Sequence, residues 1–142
     1  MTLAGRTVLL TGASGGLGHA IARRLHAAGA SLVLTGRRTD VLEDLAAETS
    51  ARALAVDLTD RAAVAGLVAE CADVDVLVAN AGLGVSGHVL NRSVAEIDDA
   101  LEVNLRAPMI LARVLGEHMA ARGSGHIVLM SSMSGKVGTP GG

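Results

Sequence analysis

An apolar run, Val8-Leu9-Leu10, breaks abruptly into Thr11-Gly12-Ala13-Ser14-Gly15-Gly16-Leu17-Gly18, and an amphipathic stretch follows at once. This junction restricts the fold more than any other part of the chain. A strand that must turn into a helix within a few residues needs glycine, which takes φ > 0 at little steric cost and lets two backbones approach closely. Glycines 12, 16 and 18 also remove side chains that would block an anion, and the helix that follows points its free N–H groups and positive dipole end towards one. The junction therefore reads as a phosphate-binding loop of a nucleotide site. Its spacing is Thr-Gly-x-x-x-Gly-x-Gly rather than Gly-x-Gly-x-x-Gly, and no Lys-Ser or Lys-Thr follows Gly18, which excludes a nucleoside triphosphate P-loop.

The rest of the chain repeats the alternation. Strands are expected at Thr7 to Leu10, Ser31 to Thr35, Ala53 to Val56, Val74 to Ala79 and His126 to Met130, each a short apolar run of the kind buried on both faces of a parallel sheet. Between them lie helical stripes: Leu17, Ile21, Leu25 and Ala28; then Leu42, Leu45, Ala46 and Thr49, with Thr39 as cap; then Val64, Leu67, Val68 and Cys71, capped by Asp60 or Thr59. Ser93 with Glu96 forms a capping box that starts a long helix through Ile97, Leu101, Leu105, Leu111, Leu115 and Met119. Pro108 cannot donate to the carbonyl of Asn104, so this helix is expected to kink or loosen there. The pattern predicts one α/β domain over residues 1–142, a doubly wound, Rossmann-like parallel sheet of order 3-2-1-4-5 in three layers. The fifth strand would then be an edge with no helix after it, leaving an apolar patch and an unpaired edge. Met130 is expected in the strand core, and Ser131 to Gly142 forms a loop-like tail.

Composition narrows the partners. Among 142 residues, 12 basic and 14 acidic side chains are well mixed at a net charge of -2, which gives no basic stripe for nucleic acid and no polybasic membrane patch. No apolar run approaches the roughly 18 residues that span a bilayer. One cysteine, Cys71, cannot make an internal disulfide and fits the core, and the first residues lack a signal-peptide core, so a cytoplasmic setting is expected. The histidines have no metal-ligand spacing, and no metal site is expected. Phe, Tyr and Trp are all absent.

The glycine loop, Asn80-Ala81-Gly82 at the end of the fourth strand and Gly125 to Gly135 (Gly-His-Ile-Val-Leu-Met-Ser-Ser-Met-Ser-Gly) together resemble the short-chain dehydrogenase/reductase family from about Thr7 onward. Because Gly15 is a glycine as well, the loop also meets the spacing of the family's extended type; the motif around Ser131-Ser132 favours the classical type. The resemblance implies a dinucleotide held by Gly12, Ser14, Gly15, Gly16, Leu17 and Gly18. It implies further contacts from Asn80, Ala81 and Gly82, with Asp57 at the adenine amine and Leu58 beside it. Gly36 stands where a carboxylate would hold the two ribose hydroxyls, and Arg37 follows, which points to NADP(H) over NAD(H). Many NADP-using members carry a basic residue where this chain has Gly15. Arg38 is expected to face solvent.

In the family, Ser orients the substrate oxygen, Tyr exchanges the proton, Lys lowers the Tyr pKa and an Asn within a helix supports a water relay. Ser132 and Asn104 match two of these roles. The chain contains no Tyr, and its single Lys, Lys136, lies too close after Ser132 to match. The expectation is the amino-terminal part of an enzyme interconverting an alcohol and a ketone or aldehyde, inactive as 142 residues alone and a homodimer or homotetramer at full length. A non-catalytic dinucleotide-binding or interaction module, and a protein completed by a second chain, are the rival readings.

Overall fold

The computed structural model describes residues 3–84 and 87–137. Strands β1 (Thr7–Thr11), β2 (Ser31–Gly36), β3 (Arg52–Ala55), β4 (Val76–Ala79) and β5 (His126–Leu129) form one parallel sheet in the order β3-β2-β1-β4-β5. Helices α1 (Gly16–Ala27) and α2 (Thr39–Thr49) cover one face; α3 (Arg61–Glu70), α4 (Val94–Leu101) and α5 (Ala107–Ala121) belong to the other side of the order reversal. The doubly wound architecture is thus as expected, with strand boundaries shifted by one or two residues. The tail beyond Val137 lies outside the described residues.

Strand alternation divides the core in two. Val8, Leu10, Leu32, Leu34, Val76 and Val78 point to the α1–α2 side and pack with Ala22, Leu42, Leu45 and Ala46. Leu9, Val33, Leu77 and Ala79 point to the other side and pack with Val64, Leu67, Cys71, Leu111 and Leu115. Having apolar side chains on both faces is what makes these strands read as continuous apolar runs. Cys71 is fully buried, and burial pushes its thiol pKa up, so it serves as a small core residue.

The capping residues bear on how the helices start. Asp60 accepts from the backbone of Ala62 (2.8 Å) and Ala63 (3.2 Å), and the reciprocal Ser93–Glu96 box is complete. Thr39 is not a cap: Arg38 holds that position, Thr39 is already helical, and no side chain closes the helix start.

The long helix departs furthest from its expected stripe. It is divided by a π-turn over Glu102–Arg106, where the Ala107 N–H reaches back to the Glu102 carbonyl. Pro108 leaves Asn104's carbonyl without its helical donor, and the wide turn sits there, as the proline predicts. The extra residue rotates the register, so Ala100, Val103, Ala107, Leu111, Leu115 and Met119 face the core. Leu101 and Leu105, expected inside, are about half exposed with Met109 beside them. Leu17, also expected inside, is 59% exposed in the first turn of α1, where Gly18 and Ala22 occupy the buried face. Met130 is likewise corrected: it follows β5, which among the described residues pairs only with β4, and lies exposed with Ile127, Val128 and Leu129 at that edge.

Asp75 ties the two central strands at their start. Its carboxylate accepts from the Thr7 N–H (2.9 Å) and Arg6 Nη1 (3.0 Å), and these contacts, the Thr7 bond foremost, hold its pKa below the ordinary value. A depressed folded-state pKa gives stability that is present above the unfolded value, about 3.9, and lost as pH falls through the folded value. Asp75→Ala is therefore expected to cost on the order of 1–2 kcal/mol in urea unfolding at pH 7. The gap to the parent chain should close as the pH drops below about 4; a gap unchanged at low pH would contradict the assignment.

Candidate functional site

The carboxyl ends of β1 and β4 diverge at the order reversal, where open α/β sheets form their binding crevice. Thr11, the last residue of β1, is 1% exposed, and its hydroxyl accepts from the backbone N–H groups of Asn80 (3.1 Å) and Ala81 (3.0 Å). In return Asn80 Nδ2 donates to the carbonyls of Thr11 (3.1 Å) and Gly12 (3.4 Å). This reciprocal set fixes the glycine loop against the end of β4.

Above it lies a cleft of about 420 Å³. Its floor and near wall are Gly12, Ser14, Gly15, Gly16, Leu17 and Gly18; its rim carries Arg37, Asp57 and Leu58; its far wall is Asn80, Ala81 and Gly82. Every residue predicted to bind cofactor is therefore brought to one cavity. The loop glycines have distinct jobs. Gly12 sits at φ +69° and a Cβ there would lie 2.7 Å from Ala81 Cα, while one at Gly18 would lie 2.8 Å from Ala13 Cα. Gly16 faces open space. No side chain caps α1 and its first turn holds no acid, so its leading N–H groups are left for an anion.

Six further wall residues were not singled out as binding residues: Thr35, Gly36, Arg38, Val56, Leu83 and Val103. Thr35 brings a hydroxyl to the carboxyl end of the apolar strand β2. Its Oγ1 is buried and has no hydrogen-bond partner among the described residues, so it is available to a bound polar group or water. Arg38, expected to face solvent, is exposed but turns its guanidinium onto the Ser14 carbonyl, bracing the glycine loop. Arg37 makes no hydrogen bond to the described residues and carries its charge at the rim. Asp57 accepts from the Thr59 N–H (3.0 Å) and hydroxyl (2.9 Å); these bonds hold its carboxyl below the usual range, with Arg37 adding to the effect.

Asn104 and Ser132 do not line this cleft. Asn104 reaches its wall indirectly: Oδ1 accepts from the Leu83 N–H (2.7 Å) and Nδ2 donates to the Leu83 carbonyl (2.9 Å). Ser132 lies exposed just past β5, its carbonyl accepting from Gly135 at 3.2 Å. Lys136 is exposed in the loop beyond, and no metal-binding cluster occurs among the described residues.

The donor set fits a dinucleotide: a glycine cradle open to one side, an uncapped helix start, an unpartnered buried hydroxyl and a free guanidinium surround one cavity. Comparison with known proteins agrees. Nodulation protein G of Rhizobium sp. (strain N33) is 44% identical over 98% of this chain and 59% of its own length. A short-chain dehydrogenase from Sphingobium yanoikuyae in complex with NADPH is 31% identical, with a TM-score of 0.91 over 96% of this chain and 57% of its own. A metagenomic short-chain oxidoreductase in complex with NADP is 38% identical, with a TM-score of 0.88 over 98% of this chain and 67% of its own. The chain thus spans roughly three-fifths of the first two of these relatives. The profile of the short chain dehydrogenase family matches residues 6–142, and the chain belongs to that family of oxidoreductases.

Proposed function

We propose that the protein is an NADP(H)-dependent oxidoreductase interconverting an alcohol and a ketone or aldehyde, and that residues 1–142 supply its cofactor-binding part without supporting turnover alone. The observation that carries this reading is the pairing of Gly36 with Arg37 at the cleft rim. A side chain at 36 would start 2.6 Å from Ser14 Oγ and 3.1 Å from Ser14 Cβ, so a ribose-binding carboxylate of the kind NAD-preferring sites carry there would have to displace the Ser14 side chain. Arg37 beside it is free to meet a 2′-phosphate. The NADPH- and NADP-bound relatives support the same choice.

When bound, the nicotinamide supplies or accepts the hydride. The chain's own residues divide the remaining work. Gly15, Gly16 and the α1 amides take the pyrophosphate; Asp57 and Leu58 border the adenine; Asn80, Ala81 and Gly82 border the ribose and nicotinamide end. Ser132 donates its hydroxyl to the substrate oxygen, and Asn104 supports a water relay beside the Leu83 loop. No Tyr is present to exchange a proton near neutral pH, and Lys136 sits in a surface loop. The second reading is a non-catalytic dinucleotide-binding or interaction module. The exposed Leu101, Leu105 and Met109 support assembly into a homodimer or homotetramer. No described helix is long and apolar enough to cross a membrane, and the setting we propose is cytoplasmic.

Arg37→Ala is expected to weaken NADPH binding by about one to two powers of ten, the worth of a charge-assisted bond, while leaving NADH binding within twofold. Equal losses for both cofactors in a fluorescence titration would reject the phosphate assignment. An NADPH oxidation assay of residues 1–142 is expected to read background with any carbonyl substrate. The coding sequence past Gly142 separates enzyme from module: Tyr-x-x-x-Lys soon after it supports the enzyme, and its absence supports the module.

A further inference from the structure

The ion pair at Glu102 differs in kind from the others along this helix. Arg113–Glu117 has both side chains about two-thirds exposed, the ordinary solvated pair of a helix surface. The Glu102 side chain is only 16% exposed and both its oxygens are taken: Oε1 accepts from Arg61 Nε (3.0 Å) and Nη2, and Oε2 from Arg106 Nη1 (3.5 Å). Arg61 opens α3, directly after the segment that carries Asp57 and Leu58 to the cleft. Glu102 and Arg106 are the two ends of the π-turn. The carboxylate therefore closes the turn on itself and fastens it to a second helix.

Asn104 lies midway in that turn. An α-helix advances by roughly 100° per residue, so collapse of the one-residue expansion would rotate Asn104 away by about that angle. Val103 and Ala107 are buried on the core side and set the depth of the turn. Pro108 withholds the α-helical donor from the Asn104 carbonyl, and the Glu102 clamp on one side and the two Leu83 bonds on the other hold the turn beside it.

We propose that Glu102 is a positioning residue: through Arg61 and Arg106 it holds the π-turn open, so that Asn104 keeps its paired hydrogen bonds to Leu83 at the cleft wall. The role of Asn104 in catalysis rests on the function proposed above; the positioning by Glu102 does not, and it can be read without cofactor. Amide hydrogen exchange at Leu83 and the side-chain NH2 resonance of Asn104 report the paired bonds directly.

In the full chain, Glu102→Ala is expected to speed Leu83 exchange by about tenfold and to shift the Asn104 side-chain resonance, as loss of bonds to a charged group would. Exchange within α3 and at the centre of α5 should stay within twofold. Glu102→Gln, which keeps an acceptor at the same reach, should recover part of the protection. Arg61→Ala should reproduce the Ala phenotype, and Glu117→Ala should leave Leu83 unchanged. Unchanged Leu83 exchange in Glu102→Ala would overturn the proposal, as would equal acceleration throughout α3 and α5. If Glu102→Ala does not fold, Arg61→Ala and Glu102→Gln decide by the same readout. Loss of NADPH binding or turnover for other reasons would leave these results standing and would bear only on the proposed function.

Discussion

The Thr11 hydroxyl, buried where β1 and β4 begin to part, holds the site together. Parallel strands present rows of unsatisfied amides where they diverge, and a buried amide without a partner costs on the order of 1–3 kcal/mol. One side-chain oxygen satisfies two such groups, and the Asn80 amide returns two bonds to the loop's first carbonyls. Everything that depends on the position of the glycine loop relative to β4 depends on this exchange. A loop held only by its own backbone would not keep Gly12 so close under Ala81, nor keep the crevice at a fixed width.

The two adjacent arginines carry like charge but act on different partners. Arg38 spends its guanidinium on a carbonyl of the glycine loop, whereas Arg37 remains unengaged at the rim. Together they place positive charge beside the glycine loop before any anion arrives. Ser14 joins the two halves of this arrangement, offering its carbonyl to Arg38 and its hydroxyl to the space beside Gly36.

The fold was legible because its signals were local: short apolar runs, glycine at the strand-to-helix turn, Asp60 and the Ser93–Glu96 box at helix starts. The cofactor cleft was legible for the same reason, since its walls follow directly after strands. What misled was periodicity across a defect. Ile97, Leu101 and Leu105 satisfy a helical repeat on paper, but the π-turn adds a residue and hands the buried face to Ala100, Val103 and Ala107. Proline marked the position of that defect without showing its size. Arg38 and Glu102 were illegible in another way. Arg38 meets Ser14 and Glu102 meets Arg61 on other elements, and no spacing within the sequence encodes those contacts.

Cys71 adds a last consequence. Its thiol lies at the foot of α3, fully enclosed by the core that also takes up β4 and α5, and it is the chain's one cysteine. A thiol reagent can reach it only when the core around it opens, and burial keeps it in the poorly nucleophilic protonated form until then. The protein therefore carries a built-in clock for core opening. In a chain with no Trp, Tyr or Phe to give a fluorescence or near-ultraviolet signal, the rate of Cys71 labelling reports the dynamics that aromatic side chains would otherwise reveal.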